Sequence, residues 1–452
     1  MLAARLGEFV AGIDTAALPP AVIDAVRLRV LDTLGAGLAG VALHHHRVLD
    51  PVLESAGSIR VWGDGIPRSA REAALVNSFA AHSTYLEDGS RFTGGHPSSV
   101  VVPAVLADGQ ARGATGAEMI AAVLAGYEVF LRLGRAIYPA CVQRGFQSTA
   151  VLGAVASAAA VARLRRLSPE ACGHAIAIGA NLGVGMKEAL KSSATQPIQV
   201  ARACEGGMVA AALAQAGHEG AARVLENGFL PGFGAGADHV AGADLAAIVE
   251  GLGREFRIGE TYLKRHAGCR GNHAPLDCAL ELISAERLGA SDVQRVTVAV
   301  DSVTRAAAIE PPRNGEQAQF SIGFSVALAF VDGDASIFSY TDARLADEAV
   351  RAMMARIEVV VDPALDARYP MERGAWIDVE TRSGRRARHA VTNARGEPEW
   401  PLTAQDVERK FLALASPCLG IARAQALRDA IARMEDIDAA QIAALLAPAS
   451  TS

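Results

Sequence analysis

The chain has little of what would mark it for a specialised class. Lysine and arginine (43) are outnumbered by aspartate and glutamate (49), for a net charge of −6, and no basic stripe or tail gathers the positive side chains. Nucleic acid is thereby an unexpected partner, because the phosphate-neutralising term that drives such binding is missing. Six cysteines (Cys141, Cys172, Cys204, Cys269, Cys278, Cys418) stand singly, with no Cys-x-x-Cys pair. That argues against a zinc site and a disulfide scaffold, and predicts reduced thiols in a cytoplasm. The longest uncharged runs, such as Thr149 to Ala162, are rich in alanine and stop short of the roughly 18 apolar residues of a membrane span. The first residues, MLAARLGEFVAGI, read as an amphipathic helix without a signal-peptide core, so no export address and no membrane are expected. Aromatic residues are only 5 % although 51 % of the chain is hydrophobic. Alanine, valine and leucine at helical spacing supply the difference, a composition suited to packing helices.

At 452 residues the chain exceeds what one core usually serves, and two domains are expected. From Pro20 to about Arg265 the pattern predicts helix after helix, with starts at Pro19-Pro20, Ser168-Pro169 and Gln196-Pro197. After one more helix (Ala274 to Leu288) the period changes. Val293 to Val300 and Arg356 to Val361 read as strands, and Ala375 to Thr381 with Arg386 to Val391 as a hairpin around Arg382-Ser383-Gly384-Arg385. Helices resume after Pro398 at Thr403 to Ala415, Ala422 to Ala432 and Ala439 to Leu446. The expected fold is mainly α: a large all-helical body and a smaller α+β domain near residues 267–397.

Gly35-Ala36-Gly37-Leu38-Ala39-Gly40 matches the dinucleotide pattern G-x-G-x-x-G. A helix-like segment precedes it where a strand is required, so close helix packing is the expectation. The chemistry points elsewhere, to Ala81 to Ala104, AHSTYLEDGSRFTGGHPSSVVVPA, where Glu87, Asp88, Arg91 and His96 fall between two apolar helical segments. A core gains nothing from such a cluster. Pro97-Ser98-Ser99 reads as a helix N-terminus whose amides favour an anion, and His96 beside it either caps that helix or works on a ligand.

A second cluster spans Tyr262, Lys264, Arg265, His266, Cys269, Arg270, His273 and Asp277. Asp277 stands four residues after His273, placed to orient its imidazole or to form an ordinary surface pair. Lys264 among cationic neighbours is either a base of lowered proton affinity or an exposed lysine. Lys187 and Lys191 share a face if their segment is helical, and Arg202, flanked by small residues, is expected to turn inward toward Glu205 or a ligand.

With these residues assembled, the chain resembles the MmgE/PrpD family over essentially its whole length. The resemblance rests on DTLGAGLAG (Asp32 to Gly40), GHPSS (Gly95 to Ser99), GYEVFLRLGRA (Gly126 to Ala136) and RGFQSTAVLGA (Arg144 to Ala154). ARACEGGMVAAALA (Ala201 to Ala214), Lys264 with Cys269 and His273, and FSIGFSVALAFVDG (Phe320 to Gly333) complete it. It implies a helical domain from both chain ends (1–266 and 398–452), an α+β lid domain (267–397), and a homodimer needing no cofactor or metal. The implied substrate is a small di- or tricarboxylate, with His96 and Lys264 as the loop histidine and the lid-junction lysine. By the same resemblance Tyr85 stands where relatives carry an aspartate, and Gln147 and Gln199 where they carry histidines. Gln196 replaces a lysine and Phe324 a tyrosine, departures that argue against 2-methylcitrate dehydration and cis-aconitate decarboxylation as such.

The expected reaction removes a proton next to a carboxylate, with Lys264 or His96 as base and the other group, or Asp88, as acid, in a cleft shared by both clusters. Hydro-lyase chemistry comes first and epimerisation second, with a carboxylate-binding protein that has lost its activity as the rival. Tyr85, Glu87, Arg91, Gln147, Lys191, Gln196, Arg202, Arg265, Cys269, His273 and Phe324 are the expected substrate contacts, with Arg91, Arg265 and the helix start at Pro97 holding carboxylates.

Overall fold

A computed structural model describes residues 1–191, 195–234 and 242–448. The chain forms two compact units: Met1–Ser83, Glu87–Tyr262 and Thr403–Ser452 in the first, Thr84–Leu86 and Leu263–Leu402 in the second.

The first unit is built around the Ser148–Leu164 helix, STAVLGAVASAAAVARL, in which every residue but Arg163 is buried. A helix apolar on all sides must be surrounded. The helices Gly116–Ile137, Ile198–Gln215, Ser98–Arg112 and Pro169–Gly179 do this. Small residues set how near they come: a Cβ at Gly207 would lie 2.4 Å from that of Ser157. Their ends are capped as elementary chemistry requires. Thr115 and Glu118 form a reciprocal box, and the Ser168 hydroxyl accepts from Ala171 N–H ahead of Pro169.

Gly35 to Gly40 lies inside the Pro20–Ala42 helix. A Cβ at Gly37 would meet the Trp62 ring at 2.8 Å and one at Gly40 the Ala80 carbonyl oxygen at 2.2 Å, so these glycines serve packing, as expected. The Ala404–Leu419 helix packs on Pro20–Ala42. One element departs from the all-helical expectation: β1 (Ile59–Arg60) pairs antiparallel with β2 (Pro67–Arg68), strands too short to carry a period. No helix among the described residues is long and apolar enough to cross a membrane.

In the second unit, β3 (Val293–Val300), β4 (Ile357–Val361), β5 (Ala375–Thr381) and β6 (Arg386–Val391) form one sheet in the order β4-β3-β5-β6. The β3/β4 pair is parallel and the others antiparallel. Strand β5 alternates buried and half-buried residues, and the His273–Glu286 helix covers β5 and β6. The expected hairpin is present, with Gly384 in the left-handed turn position at φ +82°. The structure adds the Ile322–Asp332 helix, packed on both His273–Glu286 and β4.

Candidate functional site

In the first unit the chemistry gathers where three helices end or begin. His82 closes the Ala70–Ser83 helix, His96 precedes Ser98–Arg112, and Thr149 opens Ser148–Leu164. The Glu87 carboxylate is completely buried and accepts from His82 Nδ1 at 2.6 Å, with His96 Nδ1 3.8 Å from the same oxygen. His96 Nδ1 also lies 2.6 Å from the Asp88 carbonyl oxygen, and its backbone N–H donates to Thr149 Oγ1 at 3.1 Å. A carbonyl can only accept, so Nδ1 carries a proton and the neutral ring keeps its lone pair on Nε2, the tautomer of a general base. Gly89 allows this arrangement. A Cβ there would lie 2.5 Å from the Tyr262 hydroxyl and 2.9 Å from His96 Nδ1.

Asp88 holds the loop from beneath. Its carboxyl accepts from Ser98 N–H at 3.2 Å and Tyr127 O–H at 2.9 Å and has no solvent exposure. Burial pushes it up to about 6, against the opposing pull of Arg29 and of hydrogen bonds from Ser98 and Tyr127. So enclosed, its carboxyl ties the loop to the Ser98–Arg112 and Gly116–Ile137 helices. It also takes the place expected for a substrate carboxylate at this helix start, satisfying the Ser98 amide.

The raised pKa has a stability consequence. Below the ordinary aspartate value of 3.8 both folded and unfolded forms are protonated; between there and about 6 only the unfolded chain ionises freely, so stability falls as pH rises through that window and then levels. The loss is on the order of 3 kcal/mol. Asp88→Asn is expected to remove most of that slope and to be more stable than wild type at pH 8, a result read by urea denaturation across pH.

In the second unit Lys264 is 2 % exposed and its ammonium donates to the Tyr85 carbonyl oxygen at 2.8 Å. Tyr85 has φ +48°, uncommon for a bulky side chain, and its ring meets Phe320 edge-on at 4.9 Å. Arg270 forms a buried ion pair with Glu397. The Asn272 amide donates to the Gln319 carbonyl and to Ser325 Oγ, fixing the loop after Gly268. Burial, then the charges of Arg270, His266 and Lys264, hold His273 well below the usual imidazole range, so it is neutral at physiological pH.

Several expectations are corrected. Asp277 orients His266, at 2.9 Å, and not His273, whose Nε2 faces the Gly268 carbonyl at 3.5 Å. The chain bends before the helix starts, bringing His266 rather than the i−4 residue onto the carboxylate. Burial pushes the Asp277 pKa up, but the His266 hydrogen bond and charge outweigh it and hold the group below its ordinary value. Arg265 donates through Nη1 to the same Asp277 carboxylate at 3.0 Å. Arg202 points outward, exposed and paired with Glu205, because its neighbours' small side chains belong to the opposite face. Lys187 is exposed in a Lys187–Lys191 3-10 turn, where residues four apart do not share a face, and the Lys191 side chain lies outside the described residues.

Gln147 caps the Ser148–Leu164 helix, its side-chain oxygen accepting from Ala150 N–H at 2.6 Å. Ser148 Oγ donates to the Gly94 carbonyl at 2.7 Å, tying that helix start to the His96 loop. Gln196 is 1 % exposed, and Arg91 lies 5.0 Å from the Phe92 ring centre. Phe324 is buried beside Tyr340, and Cys269 is half-buried with its N–H on the Gln319 carbonyl. Three participants in the His96 cluster were not foreseen: His82, Tyr127 and Thr149. The first two had a signal, being polar rings in otherwise apolar helical stretches; Thr149 had none.

Compared with known protein families, residues 4–240 match the MmgE/PrpD N-terminal domain and residues 266–436 the MmgE/PrpD C-terminal domain. The chain is 25 % identical to the cis-aconitate decarboxylase-like protein oryM of Aspergillus oryzae, over 98 % of this chain and 96 % of that protein. It is 24 % identical to a cis-aconitate decarboxylase of Aspergillus terreus (96 % and 93 % covered) and 26 % identical to that of Homo sapiens (94 % and 90 %). With both halves matched in order along a chain whose His96 loop and Lys264 segment are built as described, the protein belongs to the MmgE/PrpD family.

Proposed function

We propose that the protein is a cofactor-independent lyase of the cytoplasm, working as a homodimer, that removes a proton next to a carboxylate of a small di- or tricarboxylate. The observation that carries this is the His96 imidazole, locked by the Asp88 carbonyl in the tautomer of a base and backed by Glu87 and His82. In this reading His96 Nε2 takes the proton, and positive charge stabilises the enolate-like transition state. Lys264 delivers a proton to the departing group or to the opposite face. The relatives named as cis-aconitate decarboxylases support a lyase. A hydro-lyase is the preferred form.

One observation favours epimerisation as a second reading. Gln147, Gln196 and Phe324 have no titratable group with which to protonate a leaving hydroxyl, and Gln147 spends its side-chain oxygen on a helix cap. Incubation with a panel of hydroxy-, amino- and unsaturated polycarboxylates in deuterated water, followed by proton NMR, separates the two. Loss of an α-proton signal with a new alkene signal is expected for elimination; loss without one identifies epimerisation. No exchange on any member, with a tricarboxylate still bound by calorimetry, overturns both in favour of a binding protein.

A further inference from the structure

The loop that carries His96 lies along one face of the Gly116–Ile137 helix. Tyr127, Phe130 and Gly134 follow one another at the i, i+3, i+7 spacing that puts residues on one side of a helix, and each meets the loop. The Tyr127 hydroxyl donates to Asp88 Oδ2 at 2.9 Å. A Cβ at Gly95 would lie 2.8 Å from the Phe130 ring, and one at Gly134 would lie 2.6 Å from Thr93 Cγ2. All three helix residues are buried, and of the three only Tyr127 has a side chain that can hydrogen-bond.

What Tyr127 holds is the residue whose backbone meets the imidazole. Asp88 is fixed by its carboxyl, to Tyr127 and to Ser98 N–H, while its carbonyl accepts from His96 Nδ1 at 2.6 Å. The other side of that peptide is tied as well. Gly89 N–H donates to the Tyr262 carbonyl at 3.1 Å, and Tyr262 N–H donates back to the Gly89 carbonyl at 2.8 Å. The His96 backbone is held separately, with its N–H on Thr149 Oγ1. A turn of the Asp88–Gly89 peptide would therefore take the carbonyl away from Nδ1 while that N–H stays in place. Burial, then the Asp88 charge, hold the Tyr127 phenol well above its usual range, so it remains a donor.

We propose that Tyr127 is a positioning residue for His96: through the Asp88 carboxyl it fixes the peptide whose carbonyl selects the Nδ1–H form of the imidazole. Which ring nitrogen carries the proton is decided by the hydrogen bonds the ring makes, so this helix sets which nitrogen keeps its lone pair. Tyr127 is completely buried and reaches His96 through Asp88. Without its hydroxyl the buried carboxyl loses a partner and must move or take up a proton, and either change loosens the peptide beside it. The effect on turnover rests on His96 as the base; the effect on the ring stands apart from that reading.

The test needs no substrate: NMR of the ring nitrogens in protein carrying isotope-labelled histidine, at about pH 8.5 where an imidazole is neutral, with the His96 signals assigned from their absence in His96→Gln. Wild-type His96 is expected to show a protonated Nδ1 and a bare Nε2. His174, whose Nδ1 accepts from Gly220 N–H at 3.3 Å, is the internal reference for the opposite form. Tyr127→Phe keeps the ring and loses the hydroxyl, and should move both His96 nitrogens toward that opposite form while His174 stays in place. Asp88→Asn can still meet the Ser98 amide and the Tyr127 oxygen and should keep the wild-type signals. On any polycarboxylate that exchanges, Tyr127→Phe should lower kcat about tenfold with KM little changed. A wild-type His96 protonated on Nε2, or His96 signals in Tyr127→Phe that match wild type, overturns the proposal, as does a shift shared by His174, which marks general damage. Should Tyr127→Phe not fold, Asp88→Ala, which cuts the link from its other end, decides against Asp88→Asn by the same signals. A moved tautomer with undiminished turnover would sink His96 as the base and leave this inference standing.

Discussion

Replacing His96 by glutamine lowers kcat/KM by about 100-fold or more on whichever polycarboxylate the exchange panel returns. Glutamine can still donate to the Asp88 carbonyl and keeps the backbone N–H on Thr149 Oγ1, so the loop should persist while the base is lost. Circular dichroism and melting should therefore match wild type. His82→Gln acts at one remove, through Glu87 and the ring contact with His96, and should cost less, about tenfold, with its main effect on the pH profile. Lys264→Met is expected to match the His96 loss if the lysine carries a proton. Wild-type turnover in both His96→Gln and Lys264→Met would remove these residues from the chemistry.

The fold was legible wherever a period or a cap speaks locally. The Thr115-x-x-Glu118 box, proline at Pro20 and Pro169, and the alternation of β5 and β6 around Arg382 to Arg385 each settle an element from a few residues. Ile322–Asp332 shows the limit. FSVALAF is apolar on every side, so it has no helical period, and burial between a helix and a strand decides its form. The parallel β3/β4 pairing is equally silent in sequence, since Val296 and Ile357 are brought together across some 60 residues of chain.

The site divides along the same line. Its loop was visible because charged groups clustered where a core would exclude them, and Glu87, Asp88 and His96 do meet there. What failed were inferences that took spacing for contact. Asp277 four after His273 suggested a pair, yet the buried carboxylate takes His266, Arg265 and the Arg395 amide, each set by a bend and not by helix geometry. Arg202 among small residues suggested an inward side chain, but alanine and glycine on one helix face say nothing about the direction of its opposite. The buried Asp32–Lys410 ion pair was invisible because its partners lie 378 positions apart.

Arg132 shows the same long-range logic at its energetic extreme, and its loss should produce the largest fall in stability. It is the largest fully buried side chain among the described residues, sitting one turn after Glu128 on the Gly116–Ile137 helix. Its guanidinium donates to Glu128 Oε2 at 3.0 Å and to the carbonyls of Ile248, Glu250 and Glu255 at 3.1, 2.7 and 2.9 Å, pinning that returning segment. Methionine fills similar volume but leaves three carbonyls without the guanidinium and a buried carboxylate with backbone donors alone, Arg257 and Ile258 N–H. Arg132→Met should cost about 3–5 kcal/mol by urea denaturation at pH 8. Burial already raises Glu128, with Arg132 the main opposing influence, so its removal raises the group further. A folded value above the unfolded one means stability lost as pH rises from the ordinary glutamate value upward, and the penalty should be smaller at pH 5 than at pH 8. Adding Glu128→Gln should recover part of it at pH 8 and little at pH 5. A loss below about 1 kcal/mol, or one identical at both pH values, would show that water reaches this guanidinium and that the segment it holds is secured by other means.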